Sequence, residues 1–276
     1  MEVRYSRDPH SFARMNTSEI RDEFLVADLF APNETKLIYL HIDRMIVGSA
    51  VPRGKPLTLE AGKELAADYF AQRRETGVFN IGGDGMITVD DQEHKLGYQD
   101  MLYIGRGSQE IVFSSADAEQ PARFYLISLP AHQNHPTTRV TKDQANAVEL
   151  GSKAAANERT IFQYIHEGGV SSCQLVMGFT ELTTGSVWNT MPAHTHERRS
   201  EVYMYFNLSG DNVVFHLMGQ PQETRHIVVR NGQAAISPSW SIHAGAGTSN
   251  YCFVWAMGGE NQAFNDMDLT PMVELA

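Results

Sequence analysis

Short runs of alternating apolar residues, each closed by Gly, Asn, Asp or Pro, make up most of the 276-residue sequence. Examples are GVFNIGGDGMITVDDQ, ARFYLISLP, SEVYMYFNLSGD and HIVVRNGQAAISP. Their short and regular spacing is typical of β-sandwiches and barrels, and it argues against strands that alternate with long helices. The sequence therefore predicts an all-β fold.

A few short helices and one connector interrupt this pattern. The stretch from Thr17 to about Phe30 begins with a capping residue and an acidic first turn, which predicts a helix. Residues 62–70 form a weaker candidate helix, and DQANAVEL could add one turn. Residues 132–159 are polar, contain Pro136 and lack strand periodicity. We therefore predict a first barrel over residues 1–131, a linker over 132–159 and a second barrel over 160–276.

The charge balance and the apolar content limit the possible partners. The chain has 22 basic and 33 acidic residues, a net charge of −11, which disfavours binding to nucleic acid phosphates or anionic lipid. No apolar run approaches the ~18 residues of a membrane helix, and the N-terminal segment lacks an apolar signal region. Cys173 and Cys252 lie in alternating apolar runs, as buried thiols do. We expect a cytoplasmic protein without nucleic-acid or membrane partners.

The two predicted halves repeat one order of features. AQRRETGVFNIGGDG, around Glu75, resembles HERRSEVYMYFNLSGD, around Glu201. Further on, DMLYIGRGSQE aligns with QAAISPSWSIH, which matches Glu110 with His243. This repeat favours a duplicated barrel over chance similarity of strand and turn composition. The first half lacks an HxH pattern before Glu75, so we predict that its barrel is metal-free and structural.

The second half carries the pattern that points to chemistry. HTHERRSE supplies His194, His196 and Glu201, and PSWSIH supplies His243. Residues two apart on a strand point to the same side, so both imidazoles of HxH can face one point. The odd spacing to Glu201 requires a turn or bulge at ERRS. HxH alone is weak, because unrelated histidines produce it by chance. With the Glu and the later His, the set predicts a site for zinc, iron, manganese or nickel.

HxHxxxxE followed by PxxxxH resembles the two metal motifs of the cupins, which are double-sheet jelly rolls. Longer segments narrow the resemblance to the 5-keto-4-deoxyuronate isomerase family of bicupins. They run from about Asp22 to Asp268 and include HIDRMIVG, YFAQRRETGVFNIGGDGMITVD, NTMPAHTHERRSEVYMYF and SPSWSIHAGAGT. The resemblance implies a bicupin of two jelly-roll β-barrels and a homohexamer. It also implies one Zn²⁺ per chain, held at the four positions His194, His196, Glu201 and His243.

The resemblance also implies an activity on a small uronate substrate. It would be the interconversion of 5-dehydro-4-deoxy-D-glucuronate and 3-deoxy-D-glycero-2,5-hexodiulosonate in pectin and uronate catabolism. Such a ketol-isomerase moves a proton between neighbouring carbons, and a divalent cation can stabilise the enediolate charge. Three alternatives stay open: a 5-deoxy-glucuronate isomerase of inositol catabolism, a non-catalytic sugar-acid-binding cupin and an iron-dependent dioxygenase.

The residues that transfer protons are less defined by the sequence. Tyr203 and Tyr205 share the Glu201 face of one predicted strand, and Glu223 and His226 lie in the inserted segment GQPQETRH. We take Tyr203, Glu223 and His226 as candidates. A metal-bound hydroxide and a hydride shift are the alternatives.

Binding of the substrate carboxylate requires a local cation in this acidic chain, preferably Arg, which forms paired hydrogen bonds with carboxylates. Arg225 is the first candidate, followed by Arg198 and Arg199, which flank the predicted ligands. Trp240, three residues before His243, is predicted either to form a wall of the sugar pocket or to plug the barrel mouth.

Overall fold

Strands dominate the structure, a computed structural model in which all residues, 1–276, are described. In chain order they are β1 (Glu2–Arg4), β2 (Leu25–Val26), β3 (Thr35–Leu40), β4 (Ile46–Ala50), β5 (Leu57–Thr58), β6 (Arg74–Asn80), β7 (Gly85–Val89), β8 (Gln92–Leu96), β9 (Met101–Ile104), β10 (Ile111–Ser115), β11 (Phe124–Pro130), β12 (Thr138–Val140), β13 (Asn146–Leu150), β14 (Arg159–Ile165), β15 (Val176–Leu182), β16 (Trp188–Asn189), β17 (His194–Thr195), β18 (Arg199–Phe206), β19 (Val214–Gln220), β20 (Glu223–Val229), β21 (Ala234–Ser237), β22 (Ile242–Gly247), β23 (Cys252–Gly259) and β24 (Asp268–Leu269). The prediction of an all-β fold is confirmed.

Helices are few and short. The two α-helices are α1 (Pro9–Phe12) and α2 (Thr17–Phe24), and five 3₁₀ turns cover Lys63–Leu65, Phe70–Gln72, Lys142–Gln144, Lys153–Ala155 and Met272–Glu274. Asn16 caps α2 in a capping box with Glu19, one residue before the predicted start. The helix ends at Phe24 rather than Phe30, because Leu25 already begins a strand. None of these helices has the length and apolar character needed to cross a membrane.

The chain divides into two compact units. The first comprises residues 1–5, 29–145 and 164–176, and the second comprises 6–28, 146–163 and 177–276. The predicted boundaries at 131 and 160 therefore differ from the observed packing. Residues 6–28 contribute β2 to a sheet of the second unit, and the predicted linker contributes the edge strands β12 and β13. Strands of two to five residues at a sheet edge leave too little alternation to be recognised in the sequence.

The first unit is a sandwich of two sheets. A seven-stranded sheet in the order β1-β3-β4-β11-β6-β9-β12 faces a four-stranded sheet in the order β5-β10-β7-β8. The apolar residues between them include Val78 and Leu102 from the large sheet and Ile87 and Phe113 from the small sheet, all fully buried. This core fills the interior of the first barrel.

The second unit repeats this topology. Its large sheet has the order β13-β14-β15-β23-β18-β21-β2, and its small sheet has the order β16-β22-β19-β20, with β17 and β24 forming a separate pair. The five central strands of each large sheet, β3-β4-β11-β6-β9 and β14-β15-β23-β18-β21, correspond one to one. The predicted duplication is thus confirmed at the level of strand order.

The strand register shows which residues of the two halves are equivalent, and it corrects the predicted match of Glu75 with Glu201. The pairing of β6 with β9 begins at Thr76, and the pairing of β18 with β21 begins at Glu201. Thr76 therefore occupies the position of Glu201, whereas Glu75 lies on the opposite face of its strand. The match of Glu75 with Glu201 was wrong by one residue.

The hairpin turns correct the match of Glu110 with His243 as well. Both β7–β8 and β19–β20 close on two-residue turns, so Ile87 is equivalent to Met218 when counted back from each turn. Phe113 pairs with Ile87, and His243 pairs with Met218. Phe113 therefore occupies the position of His243.

Candidate metal centre of the second barrel

Four side chains meet inside the second barrel. His194 lies on β17, His196 follows that strand, Glu201 lies on β18 and His243 lies on β22. Their ligand atoms all lie within 4.8 Å of one another, and all four residues are buried. The structure thus brings together the complete set of predicted ligands, and the group could hold a metal ion.

Hydrogen bonds to backbone carbonyls orient two of the imidazoles. The Nδ1 atom of His196 lies 2.8 Å from the carbonyl oxygen of Arg199, and Nδ1 of His243 lies 3.3 Å from that of Ser241. A carbonyl oxygen only accepts, so each Nδ1 carries the hydrogen and each Nε2 directs its lone pair to the centre. Backbone anchoring of this kind is the arrangement that metal-binding histidines need.

The atoms that face the centre, three imidazole Nε2 atoms and the carboxylate oxygen Oε2 of Glu201, are all electron-pair donors and lie close together. Nε2 of His196 lies 3.2 Å and Nε2 of His243 lies 3.0 Å from Oε2 of Glu201. Nε2 of His243 also lies 3.0 Å from Nε2 of His194. A divalent cation among these atoms would bind all four donors, and three nitrogens with one carboxylate oxygen suit a borderline ion. The donor set therefore fits a metal.

The surroundings set the protonation states that ligation requires at His194 and Glu201. Burial alone would lower the pKa of His196, but its hydrogen bond with Glu201 raises it. Burial and, to a smaller extent, the neighbouring His243 together lower the pKa of His194 to about 3. Burial alone would raise the pKa of Glu201, but His243 and His196 together hold it well below its usual range. At neutral pH His194 is therefore neutral and Glu201 is ionised, as metal ligands must be.

A cavity of about 240 Å³ opens onto these ligands. Its walls are largely apolar and include Ile161, Pro192, Phe253, Trp255, Met257, Phe264 and Leu269. Polar groups are contributed by Arg159, Thr190, Arg199 and Tyr203. An apolar cavity with a few converging polar groups is the usual form of a small-molecule site.

Arg159 is the notable cation of this cavity. Its Nη1 atom donates to the carbonyl oxygen of Asn157 at 2.8 Å, and its other nitrogens have no hydrogen-bond partner. It forms no ion pair with a carboxylate of the protein. Arg199 lines the same cavity, but its guanidinium donates to the carbonyl oxygens of Ala263 and Asp266 at 2.8 and 2.9 Å. Arg159 is therefore the guanidinium with free donors for an anionic ligand.

Tyr203 lies in the cavity as the shared face with Glu201 predicts. Its hydroxyl is 3.2 Å from Oγ1 of Thr190, which donates to Oδ1 of Asn189 at 2.8 Å. Tyr205 lies deeper, with its hydroxyl 2.8 Å from Nδ1 of the buried His216. Of the two tyrosines, only Tyr203 lines the cavity.

The structure places Arg225, Glu223 and His226 elsewhere, on β20. Arg225 donates to the carboxylate of Glu223 at 3.0 Å and to the carbonyl oxygen of Ala13 at 3.2 Å. His226 is exposed and packs on the ring of Phe215. These three side chains do not line the cavity, because β20 is the edge strand of its sheet and contacts helix α2.

Trp240 and Arg198 also lie outside the cavity. Trp240 packs against Phe12 and Phe24 of the two helices, with ring centroids 5.2 and 6.4 Å away. Arg198 pairs with Asp266 at 2.5 Å and with Asp268 at 2.9 Å. Trp240 therefore does not form a wall of the pocket, one of its two predicted roles. Arg198, a candidate for the substrate carboxylate, is paired with two aspartates instead. Arg159 and Thr190 were missed, since no spacing in the sequence ties either residue to the predicted ligands.

Two cupin-type barrels, one with a buried three-His, one-Glu group, define the protein as a bicupin with a candidate metal centre. The KduI/IolB family profile matches residues 25–272, and the chain belongs to this family.

Relatives of known name support this membership over the whole length. The 4-deoxy-L-threo-5-hexosulose-uronate ketol-isomerase of Lachnoclostridium phytofermentans is 54% identical and covers 100% of both chains. The protein of the same name from Formosa agariphila is 54% identical over 99% of this chain and 98% of its own.

Solved structures share the fold at low identity. An IolB-like protein from Salmonella typhimurium LT2 superposes with a TM-score of 0.71 at 12% identity, covering 90% of this chain and 96% of its own. An oxalate decarboxylase from Lactobacillus farciminis superposes with a TM-score of 0.57 at 10% identity, covering 86% and 87%. These likenesses support the two-barrel fold and say nothing about substrate.

Proposed function

We propose that the protein is a ketol-isomerase that interconverts 5-dehydro-4-deoxy-D-glucuronate and 3-deoxy-D-glycero-2,5-hexodiulosonate. Support comes from relatives at 50–54% identity that carry this activity in their names. The observation that carries the proposal is that one cavity contains both the His/Glu group and the guanidinium of Arg159, which forms no ion pair. A substrate with a carboxylate at one end, for Arg159, and a carbonyl at the other, for the His/Glu group, matches this arrangement.

We further propose that the metal is Zn²⁺, one ion per chain, at His194, His196, Glu201 and His243. When bound there, zinc supplies Lewis-acid chemistry, which stabilises negative charge on neighbouring substrate oxygens without a redox change. The three nitrogens and one carboxylate of the group suit this ion. Metal analysis of the purified protein tests the identity of the ion.

We assign binding and orientation of the substrate to residues of the cavity. Arg159 would form paired hydrogen bonds with the substrate carboxylate and so fix the direction in which the substrate enters. The apolar walls exclude water from the reacting carbons. Burial raises the pKa of Tyr203 well above its usual value, so its hydroxyl stays protonated and donates to a substrate oxygen. Tyr203 thus serves as a hydrogen-bond donor rather than a base.

An assay of two uronates side by side tests the activity. We expect kcat/KM for 5-dehydro-4-deoxy-D-glucuronate to exceed that for 5-deoxy-glucuronate by at least about 100-fold, because the pocket contacts differ for each acid. The reverse preference would assign the inositol-pathway isomerase. Oxygen consumption would indicate a dioxygenase, and binding of either acid without turnover would indicate a non-catalytic module.

Substitution of Arg159 tests the binding mode. Arg159→Gln removes a charged hydrogen-bond donor, so we expect KM to rise by about 10- to 100-fold while the zinc content stays at one per chain. An unchanged KM would show that the carboxylate binds elsewhere in the cavity.

The family resemblance also supports a homohexamer in the cytoplasm with a role in pectin and uronate breakdown, and we include these in the proposal. Light scattering should give a mass of six times 30.8 kDa. The first barrel is proposed to bind no metal, because its equivalent positions hold Thr76 and Phe113. A content of two metal ions per chain would contradict this part.

A further inference from the structure

A second polar cavity lies in the first unit. It has a volume of about 280 Å³, and its lining includes Tyr39, Arg44, Glu64, Arg73 and Arg74. Glu64 is the single acidic residue of this lining, so the formal charge is three arginines minus one glutamate, or +2. A positive cavity is unusual in a chain whose net charge is −11.

Arg74 forms the floor of the cavity and is only 6% exposed. Its Nε atom donates to Oγ of Ser128 at 3.1 Å, and its Nη2 atom donates to the carbonyl oxygens of Arg44 and Ser128 at 2.5 and 2.8 Å. All of these acceptors are neutral, and no carboxylate lies within ion-pair distance of Arg74. Burial of a charge without a counter-ion is costly, and burial lowers the pKa of Arg74 to about 10.

Arg44 and Arg73 are exposed at the rim and also lack ion pairs. Arg73 donates from Nη2 to the carbonyl oxygens of Leu65 and Ala66 at 2.6 and 2.8 Å, which leaves Nε and Nη1 without a partner. Arg44 uses only Nη1, which lies 3.1 Å from Nδ1 of His41. Several guanidinium donors around the cavity are therefore available to a ligand.

Glu64 does not neutralise these arginines. Its Oε1 atom lies 3.7 Å from the backbone nitrogen of Met1, and neither of its oxygens is within 4.0 Å of a guanidinium nitrogen. The hydroxyl of Tyr39 has no hydrogen-bond partner in the protein and adds a neutral donor to the wall. The cavity thus offers charged and neutral donors that the protein itself leaves unused.

We propose that this cavity binds a small oxyanion, namely the carboxylate or phosphate of a molecule no larger than a monosaccharide, with one ligand per chain. Arginine forks pair with both groups through two parallel hydrogen bonds. The volume lies near the lower end of small-molecule sites, which excludes larger ligands. The bound anion supplies the counter-charge that Arg74 lacks.

The repeat shows that the two cavities adjoin equivalent positions of their barrels. Arg74 precedes Thr76 by two residues, as Arg199 precedes Glu201, so the two arginines occupy equivalent positions. Arg199 lines the cavity of the second barrel. The first barrel has therefore kept the arginine of this position while its metal-ligand positions hold other residues.

Calorimetric titration of the intact, metal-loaded protein tests the proposal, with inorganic phosphate and D-glucuronate as separate probes at fixed ionic strength. We expect saturable binding of at least one probe at one per chain, weakened at least about tenfold in an Arg44→Gln, Arg73→Gln double variant. These rim residues are chosen because the buried Arg74 contributes to folding. Arg53→Gln, which removes an exposed arginine outside the cavity, is the matched control and should bind as the wild type does.

The two probes and one further variant distinguish the outcomes. Binding of phosphate alone identifies a phosphate site, and binding of glucuronate alone identifies a carboxylate site. Glucuronate binding that is lost in Arg159→Gln but kept in the double variant belongs to the second barrel and counts against the proposal. The absence of saturation with either probe up to about 10 mM would overturn it.

Discussion

The two barrels share one strand order and differ at a few interior positions. Where the second barrel has Glu201 and His243, the first has Thr76 and Phe113. Phe113 is fully buried in an apolar core, whereas His243 is equally buried but faces three other ligand atoms. The comparison shows that the jelly roll itself does not make a site. The same interior becomes a hydrophobic core or a metal centre according to the side chains at equivalent register.

Glu75 shows how a carboxylate near the equivalent position acquires a structural role. It faces away from the apolar core of the first barrel, and its oxygens accept hydrogen bonds from the backbone N–H groups of Cys173, Gln174 and Leu175 at 2.7 to 2.9 Å. The hydroxyl of Tyr103 donates to it at 2.8 Å. Hydrogen-bond donors of the protein thus satisfy Glu75, whereas Glu201 faces imidazole nitrogens whose lone pairs a cation could share with it.

The largest expected effect comes from giving the second barrel the residue of the first. His243→Phe removes one of four ligands, so we expect metal content to fall from one per chain towards zero. Loss of a hydrogen-bond partner of a metal-binding histidine lowers activity by roughly 10- to 100-fold. Because His243→Phe removes the ligand itself, we expect kcat/KM to fall by more than that. Elemental analysis and the isomerase assay measure both. Phe113→Leu is the matched change in the first barrel and should leave metal content unaltered. Full metal content in His243→Phe would show that the cluster is not the binding site.

His216 has no polar counterpart in the first barrel, where Gly85 occupies its position. Burial and, to a smaller extent, His243 together lower the pKa of His216 to about 3. The unfolded chain, with an ordinary histidine pKa of about 6.5, therefore binds more protons than the folded chain between these values. The contribution of His216 to the free energy of unfolding is therefore fully present above about pH 6.5. It is lost as the pH is lowered towards 3, at up to about 1.4 kcal/mol per pH unit.

Urea unfolding with a chelator present, at several pH values between 7 and 4, measures this slope without a contribution from metal release. In His216→Gln the slope should be shallower by about one proton. His226→Gln changes an exposed histidine of the neighbouring strand and should keep the wild-type slope. Equal slopes in all three proteins would mean that His216 takes up a proton in the folded state.

A smaller effect, on stability alone, is expected from the first barrel. Glu75→Gln replaces one of two accepting oxygens with a donor that faces backbone N–H groups, so unfolding should become easier by about 2 to 3 kcal/mol. Metal content and kcat/KM should stay at the wild-type level. Glu201→Gln is the matched change, and it should lower metal affinity instead. The pair sharpens the comparison, because loss of metal in Glu75→Gln would mean that the first barrel supports the site in the second.

Sequence reasoning recovered those features that a local pattern encodes. Alternation predicted the strands, and HxHxxxxE with a later His predicted the ligands, because strand geometry places neighbouring residues of one face together. The residue-by-residue match between the halves was wrong by one position, because RRE and RRSE look alike in sequence. A shift of one residue exchanges the two faces of a strand, so this small error moved Glu75 to the wrong face. Arg159 escaped prediction because it lies in the last position of the segment assigned to the linker.

The candidates Arg225 and Trp240 failed for a different reason. Arg225 was chosen as a cation of the inserted segment and Trp240 for its closeness in sequence to His243. Residues 6–28, however, belong to the second unit and contact both side chains. Trp240 donates to the carbonyl oxygen of Arg7, and Arg225 donates to that of Ala13. No periodicity in the N-terminal segment indicates which barrel it contacts. Long-range packing of a terminal segment is a tertiary property that local patterns do not carry.

The smallest effect is expected at Arg225, whose equivalent in the first barrel is His94, paired with Ile87 as Arg225 is with Met218. Arg225→His removes a part-exposed ion pair with Glu223 and one hydrogen bond to Ala13, so we expect a stability loss of less than about 1 kcal/mol. KM should stay within about twofold of the wild type, in contrast to the rise of about 10- to 100-fold in Arg159→Gln. Steady-state kinetics of the two variants, measured together, decide which arginine binds the substrate. A large rise of KM in Arg225→His would mean that the edge strand β20 contributes to the site and that the cavity of the second barrel extends beyond its present walls.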